Sequence, residues 1–167
     1  MKIVHPLLQE FLRIAYGCMA CDGEIDASEV SCLRSIAIQM GQPVRQVDAD
    51  LRTVREEFAE DAHRMVDRAK GRLLSVKMSE PDSELFLDIL IQLVEADGVV
   101  HINEIRYVRD LVYEFKMDHQ ALKERHPEWQ PYLAEGIRAS ARSEWPFADA
   151  AASSPDIRLD LNRNDPQ

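Results

Sequence analysis

Apolar residues recur at spacings of three and four along most of the chain, and they predict helices from end to end. Leu7, Leu8, Phe11, Leu12, Ala15, Cys18 and Met19 form one wide stripe, the pattern of an amphipathic helix with a buried face. Asp26 followed three residues later by Glu29 reads as an N-cap with its capping-box partner, opening a helix over 27–40. After Pro43, the residues Val44, Val47, Leu51, Val54 and Phe58 suggest one helix, and Ala62, Met65, Val66, Ala69, Leu73 and Leu74 another, with a boundary near Ala59. Ser79-Glu80-Pro81-Asp82-Ser83 breaks the pattern and supplies new N-cap residues. The stretch 83–96 is apolar on almost every side, which places it in the middle of a bundle. A short capped helix follows Asp118, and Trp129, Leu133 and Ile137 have the spacing to dock one more. No alternating run makes a convincing strand. The fold class expected is all-α, a compact bundle of about seven helices.

Residues 11–36 laid on residues 86–111, an offset of 75, give seven identities in 26 positions without a gap. Each copy has an apolar helix, a turn Asp-Gly-x-aliphatic-x-x-x-Glu, and a second amphipathic helix. Gly23 and Gly98 stand where a helix ends in the left-handed conformation that glycine adopts at little cost. In the second copy His101 takes the cap position that Asp26 holds in the first. The domain organisation expected is one helical domain over 1–142, with repeat cores 11–36 and 86–111. From Ser143 the composition shifts to Ala, Ser, Asp, Asn and Pro, so 143–167 reads as a flexible tail.

Composition narrows the function classes. The chain of 167 residues carries 20 Lys+Arg against 30 Asp+Glu, a net charge of −10. That field repels phosphate and anionic lipid, so nucleic acid is not an expected partner. Leu85 to Val94 is the most apolar segment, and it falls far short of the roughly 20 residues that span a bilayer. Direct membrane insertion is not expected. The amino-terminal residues lack the apolar stretch of a signal peptide. Cys18, Cys21 and Cys32 are an odd number in a chain of ordinary core size, which argues for a reducing interior. A cytoplasmic location is expected.

Ala20-Cys21-Asp22-Gly23-Glu24-Ile25-Asp26-Ala27-Ser28-Glu29 and Glu95-Ala96-Asp97-Gly98-Val99-Val100-His101-Ile102-Asn103-Glu104 together resemble the bacterial tellurite-resistance TerB-like family, whose pattern is a twice-used Asp-Gly turn closing on a Glu. Phe115-Lys116-Met117-Asp118 with Leu122 resembles the family's final turn, although Lys116 stands where a glycine is usual. The resemblance covers roughly residues 5–123. It implies a compact helical domain with an acidic surface, linked to stress response, proposed to bind a metal ion and not known as an enzyme. A related domain occurs in DnaJ-type co-chaperones, but His5-Pro6-Leu7 and His126-Pro127-Glu128 are the only His-Pro pairs here and neither makes the His-Pro-Asp triplet.

The candidate metal ligands are Asp22, Asp26, Glu29, Asp97 and Glu104. Carboxylates seven apart around a tight turn can present oxygens to one hard cation, as in the second half of an EF-hand loop. The preceding positions are Cys18 and Ala20 in one copy and Leu93 and Glu95 in the other, so neither copy completes such a loop alone. If the turns meet, they share one divalent cation, calcium, magnesium, manganese or zinc. The structural alternative is that each Asp bonds turn amides and each Glu caps a helix. Cys18-x-x-Cys21 with Cys32 invites a zinc or redox reading, but these positions match Leu93, Ala96 and Tyr107 in the second copy, which marks them as apolar slots. Arg64, Arg68 and Arg72 form a basic stripe that either docks an acidic partner or is neutralised by Glu57, Glu60, Asp61 and Asp67. No catalytic motif is visible. The function expected is a non-enzymatic interaction or sensing module with a protein partner. The alternatives are a metal-dependent hydrolase using the clustered carboxylates, and a metal-free adaptor.

Overall fold

Helix starts follow their capping chemistry. The computed structural model describes residues 5–23, 25–96, 98–130 and 159–160. Among them are six α-helices: α1 (His5–Met19), α2 (Ala27–Gln39), α3 (Val44–Val76), α4 (Glu80–Val94), α5 (Ile102–Glu114) and α6 (His119–Arg125). Asp26 Oδ1 accepts from the Ser28 amide at 2.6 Å and Glu29 Oε2 from the Asp26 amide at 3.0 Å, the box that opens α2. Ser79 Oγ accepts from the Asp82 amide at 3.3 Å, with Pro81 in the first turn of α4. Asp118 Oδ1 does the same for α6 through the Gln120 amide at 2.8 Å. Two short 3-10 turns, Ala20–Asp22 and Pro127–Trp129, complete the helical set, and Val99–Val100 pairs antiparallel with Leu159–Asp160. The fold is all-α. Apart from that two-residue pairing, the expected tail 143–167 and the helix expected around Leu133 and Ile137 lie outside the described residues.

The bounds of α4, α5 and the start of α6 are those of α1, α2 and the start of α3 displaced by 75. The same displacement relates the bonds that end the second helix of each half. Gln42 N donates to Ala37 O at 3.3 Å, and Met117 N to Val112 O at 2.9 Å. The likeness therefore runs past residues 36 and 111 to Val47 and Leu122, each 1% exposed. Gly41 and Lys116 occupy the equivalent turn, both at positive φ, 91° and 52°.

The segment after Pro43 is one helix of 33 residues rather than the two expected. It is interrupted at Asp61, whose backbone is extended (φ −159°, ψ 94°) and whose Oδ1 accepts from the Arg64 amide at 3.0 Å. Asp61 thus ends one limb and caps the next, two residues from the expected boundary. Both limbs lie against α1. Gln9 bonds Asp50 at 3.2 Å, Arg13 bonds Glu57 at 2.7 and 3.1 Å, and Arg72 bonds Glu10 at 2.6 Å.

The core is centred on α1 and α4. Leu12, Ile14, Ala15, Leu90 and Val108 have essentially no exposed surface, and Phe11 meets the edge of Phe86 at a ring separation of 4.9 Å. Phe86, Leu87, Ile89, Leu90, Ile91, Leu93 and Val94 are all buried, as the all-round apolar pattern of 83–96 requires. Truncating one such leucine to alanine costs about 2–5 kcal/mol.

Candidate functional site

The two acidic turns are built alike. Gly23 (φ 88°) and Gly98 (φ 77°) take the left-handed conformation that lets each turn reverse. Ile25 and Val100 then carry the chain to the caps of α2 and α5. Glu29 and Glu104 are buried, 4% and 1% exposed, and each folds back on its own cap residue: Glu104 Oε2 accepts from the His101 amide at 2.8 Å, as Glu29 does from Asp26. Asp26 is exposed, and its bond to the Ser28 amide holds its carboxyl below the usual carboxylate range. Asp22 closes the first 3-10 turn, with its side chain outside the described set, and Asp97 is outside the described residues. The halves do touch at this level: Asn103 Nδ2, in the first turn of α5, donates to the carbonyl of Cys21 at 3.2 Å.

The three cysteines are free, with Cys18 and Cys21 buried and Cys32 half-buried. Burial raises the Cys32 thiol above its ordinary value. Arg64, Arg68 and Arg72 line a cleft of about 340 Å³ beside the Asp61 kink, together with Glu10, Glu57 and Arg13. Its charges are paired across helices as well as along one, since Arg13 and Glu10 come from α1 and Glu57 and Arg72 from α3. The Arg13 guanidinium holds Glu57 below the usual carboxylate range.

A second cluster was not singled out by sequence. His126 Nδ1 lies 3.5 Å from Glu95 Oε1 and 3.4 Å from Glu128 Oε1, and the ligand atoms of all three residues fall within 4.8 Å of one another. Glu95 raises the imidazole pKa most, burial opposes it, and Glu128 adds to the rise. The Glu95 contact has ion-pair length. Glu95 Oε1 is shielded from solvent and has no hydrogen-bond partner among the described residues. Trp129 anchors this corner, fully buried, with its ring 5.7 Å from the imidazole. Glu95 and His126 are 31 residues apart, and only the packing of α6 beside α4 joins them, here through Arg125 to Asp88 at 2.6 Å. The one local signal was His126-x-Glu128, which alone is too common to stand out.

Beside this cluster runs a groove of about 560 Å³ between α2 and α4, lined by Ser28, Cys32, Ile91, Gln92, Glu95 and His126. The equivalent place in the other half lies between α5 and α1, and Tyr107 is inserted there. Tyr107 is the counterpart of Cys32 at the same offset. Its ring is 2% exposed, its hydroxyl donates to the Ile14 carbonyl at 2.8 Å, and Lys70 Nζ sits 5.9 Å from the ring centre. Desolvation raises the pKa of that phenol well above its ordinary value and lowers that of Lys70.

An all-α fold of two like-shaped halves, each turned by a glycine after an acidic residue, defines the class as a helical module with paired acidic turns. Residues 9–126 match the family described as tellurite resistance protein TerB, and the chain belongs to that family. No curated protein and no solved structure matches the chain. No helix among the described residues is long and apolar enough to cross a membrane.

Proposed function

We propose that this TerB-family chain acts in the cytoplasm as a non-enzymatic interaction or sensing module, tied to metal or tellurite stress, whose acidic turns meet a divalent cation and whose surface meets a protein partner. The observation that carries the reading is the contact from Asn103 to the Cys21 carbonyl, which brings the start of α5 against the turn that contains Asp22. Glu29 and Glu104 are committed to helix caps, so a cation at the turns draws chiefly on the aspartates at 22, 26 and 97. Few charged ligands make a weak, exchangeable site, which suits sensing better than storage. The net charge of −10 favours a basic protein face as partner over nucleic acid.

Calorimetry of chelator-stripped protein with calcium, magnesium, manganese and zinc, beside the Asp22→Asn/Asp97→Asn double variant, tests the cation. Saturable heat that disappears in the variant supports a site at the turns. Absence of heat with every ion in a folded sample leaves the metal-free adaptor, for which Asp22→Lys/Asp97→Lys abolishes capture of the partner with no metal dependence.

A further inference from the structure

His126 faces two carboxylates from different parts of the chain. Glu95 comes from the end of α4, and Glu128 from the 3-10 turn after α6. Two ligand atoms held about 2.1 Å from a tetrahedral zinc ion stand about 3.4 Å apart. The separations from Nδ1, 3.5 and 3.4 Å, are already those of neighbouring ligands around such an ion. Octahedral magnesium draws neighbouring ligands to about 2.9 Å, and both magnesium and calcium take oxygen rather than imidazole nitrogen. Glu95 Oε1 offers a lone pair that is withdrawn from water and engaged in no hydrogen bond among the described residues. A cation answers that shortage in a way that a second carboxylate cannot.

We propose that Glu95, His126 and Glu128 form a binding site for a borderline transition-metal dication of the zinc type, with the groove between α2 and α4 beside its open side. The groove gives the site its second property. Because Cys32 stands where the other half has a tyrosine, the space next to Glu95 and His126 is left unfilled, with Ser28 and Ile91 on its walls. Three protein ligands with an accessible fourth position hold a water or a partner's donor atom. The elevated imidazole pKa has the same origin, since two carboxylates favour positive charge at this point whether it is carried by a proton or a metal. The site is separate from the acidic turns and does not rest on the function proposed for them.

The test uses the full chain without an affinity tag, stripped with chelator and titrated with zinc chloride, with cobalt(II) as the spectroscopic substitute. One saturable zinc site is expected, together with a visible cobalt spectrum of tetrahedral type free of thiolate charge transfer. Glu128→Gln, at an exposed position, and His126→Gln each weaken zinc by at least about 10–100-fold. Asp22→Asn/Asp97→Asn leaves zinc affinity unchanged, so loss of the turn site and loss of this one are read separately. Circular dichroism confirms that each variant is folded. No zinc binding by the folded wild type, zinc affinity unmoved by both His126→Gln and Glu128→Gln, loss confined to the aspartate variant, or a thiolate band in the cobalt spectrum overturns the assignment.

Discussion

The interface of α5 with α1 and that of α2 with α4 occupy equivalent positions in the two halves, yet one is solid and the other is open. In the first, Tyr107 fills the space and bonds the Ile14 carbonyl. In the second, Cys32 is too small to reach across, and a groove of about 560 Å³ remains. The backbone plan is common to both, since the helix bounds differ only by the constant offset. One side chain therefore decides whether a half is structural wall or accessible surface. The open half is also the one that gathers Glu95 and His126, so the unfilled volume and the concentrated charge coincide.

Removing the aromatic should break the contrast most strongly. Tyr107→Ala opens a second cavity and loses the bond to Ile14, and a destabilisation of about 3–5 kcal/mol is expected in denaturant unfolding. Next in size, Cys18→Phe inserts a ring where there is no space and costs about 1–3 kcal/mol, whereas Cys32→Phe enters the groove and costs less than about 1 kcal/mol. Equal losses from the two cysteine variants would mean that the groove is not available volume.

The turns after α2 and α5 sharpen the comparison from the backbone side. Gly41 and Lys116 both sit at positive φ, where a side chain is strained. Lys116→Gly should stabilise by about 1 kcal/mol and Gly41→Lys destabilise by about the same, measured by thermal unfolding.

The smallest effect concerns the pairing of α1 with α3. Glu57 has its pKa depressed by Arg13, so the unfolded chain takes up its proton first as the pH falls. The pair's contribution is therefore full above the ordinary carboxylate value near 4.5 and fades as pH drops through the lower folded value. Glu57 is 39% exposed, which keeps the effect below about 1 kcal/mol. The stability gap between wild type and Glu57→Gln should accordingly shrink from pH 6 to pH 3. A gap that stays constant across that range contradicts the pairing.

The fold was legible because its signals are local. Stripes such as Phe11, Leu12 and Ala15, the box of Asp26 and Glu29, and the glycines at 23 and 98 each act within one or two helical turns. Lys116, marked by resemblance as standing in a glycine's place, does adopt the positive φ that a glycine would. The single helix over 44–76 was read as two because the apolar phase shifts near Ala59, and the shift is real: it appears as the kink at Asp61. The candidate site was legible only in part. Glu29 and Glu104 announce a cap and a ligand equally well, since both roles ask for a carboxylate three residues after a turn. Glu95 and His126 announce nothing, because their meeting depends on how α6 lies against α4, a long-range fact with no periodicity. The tyrosine and cysteine at equivalent positions were visible in the alignment of the halves, but the volume left by the smaller one is a property of packing.

The interruption at Asp61 also fixes a phase. A straight helix of 33 residues would extend about 50 Å, more than twice the reach of the 15-residue α1. With one non-helical residue the chain passes Gln9 and Arg13 on the way out and meets Glu10 again through Arg72 on the way back. A helical hairpin normally takes a loop of about 2–5 residues to do this. Here no slack exists to absorb an error. One residue added at the kink turns the second limb by about 100° and swings Met65, Val66, Ala69 and Leu73 off the core, so the length of this connector is as strictly specified as its composition.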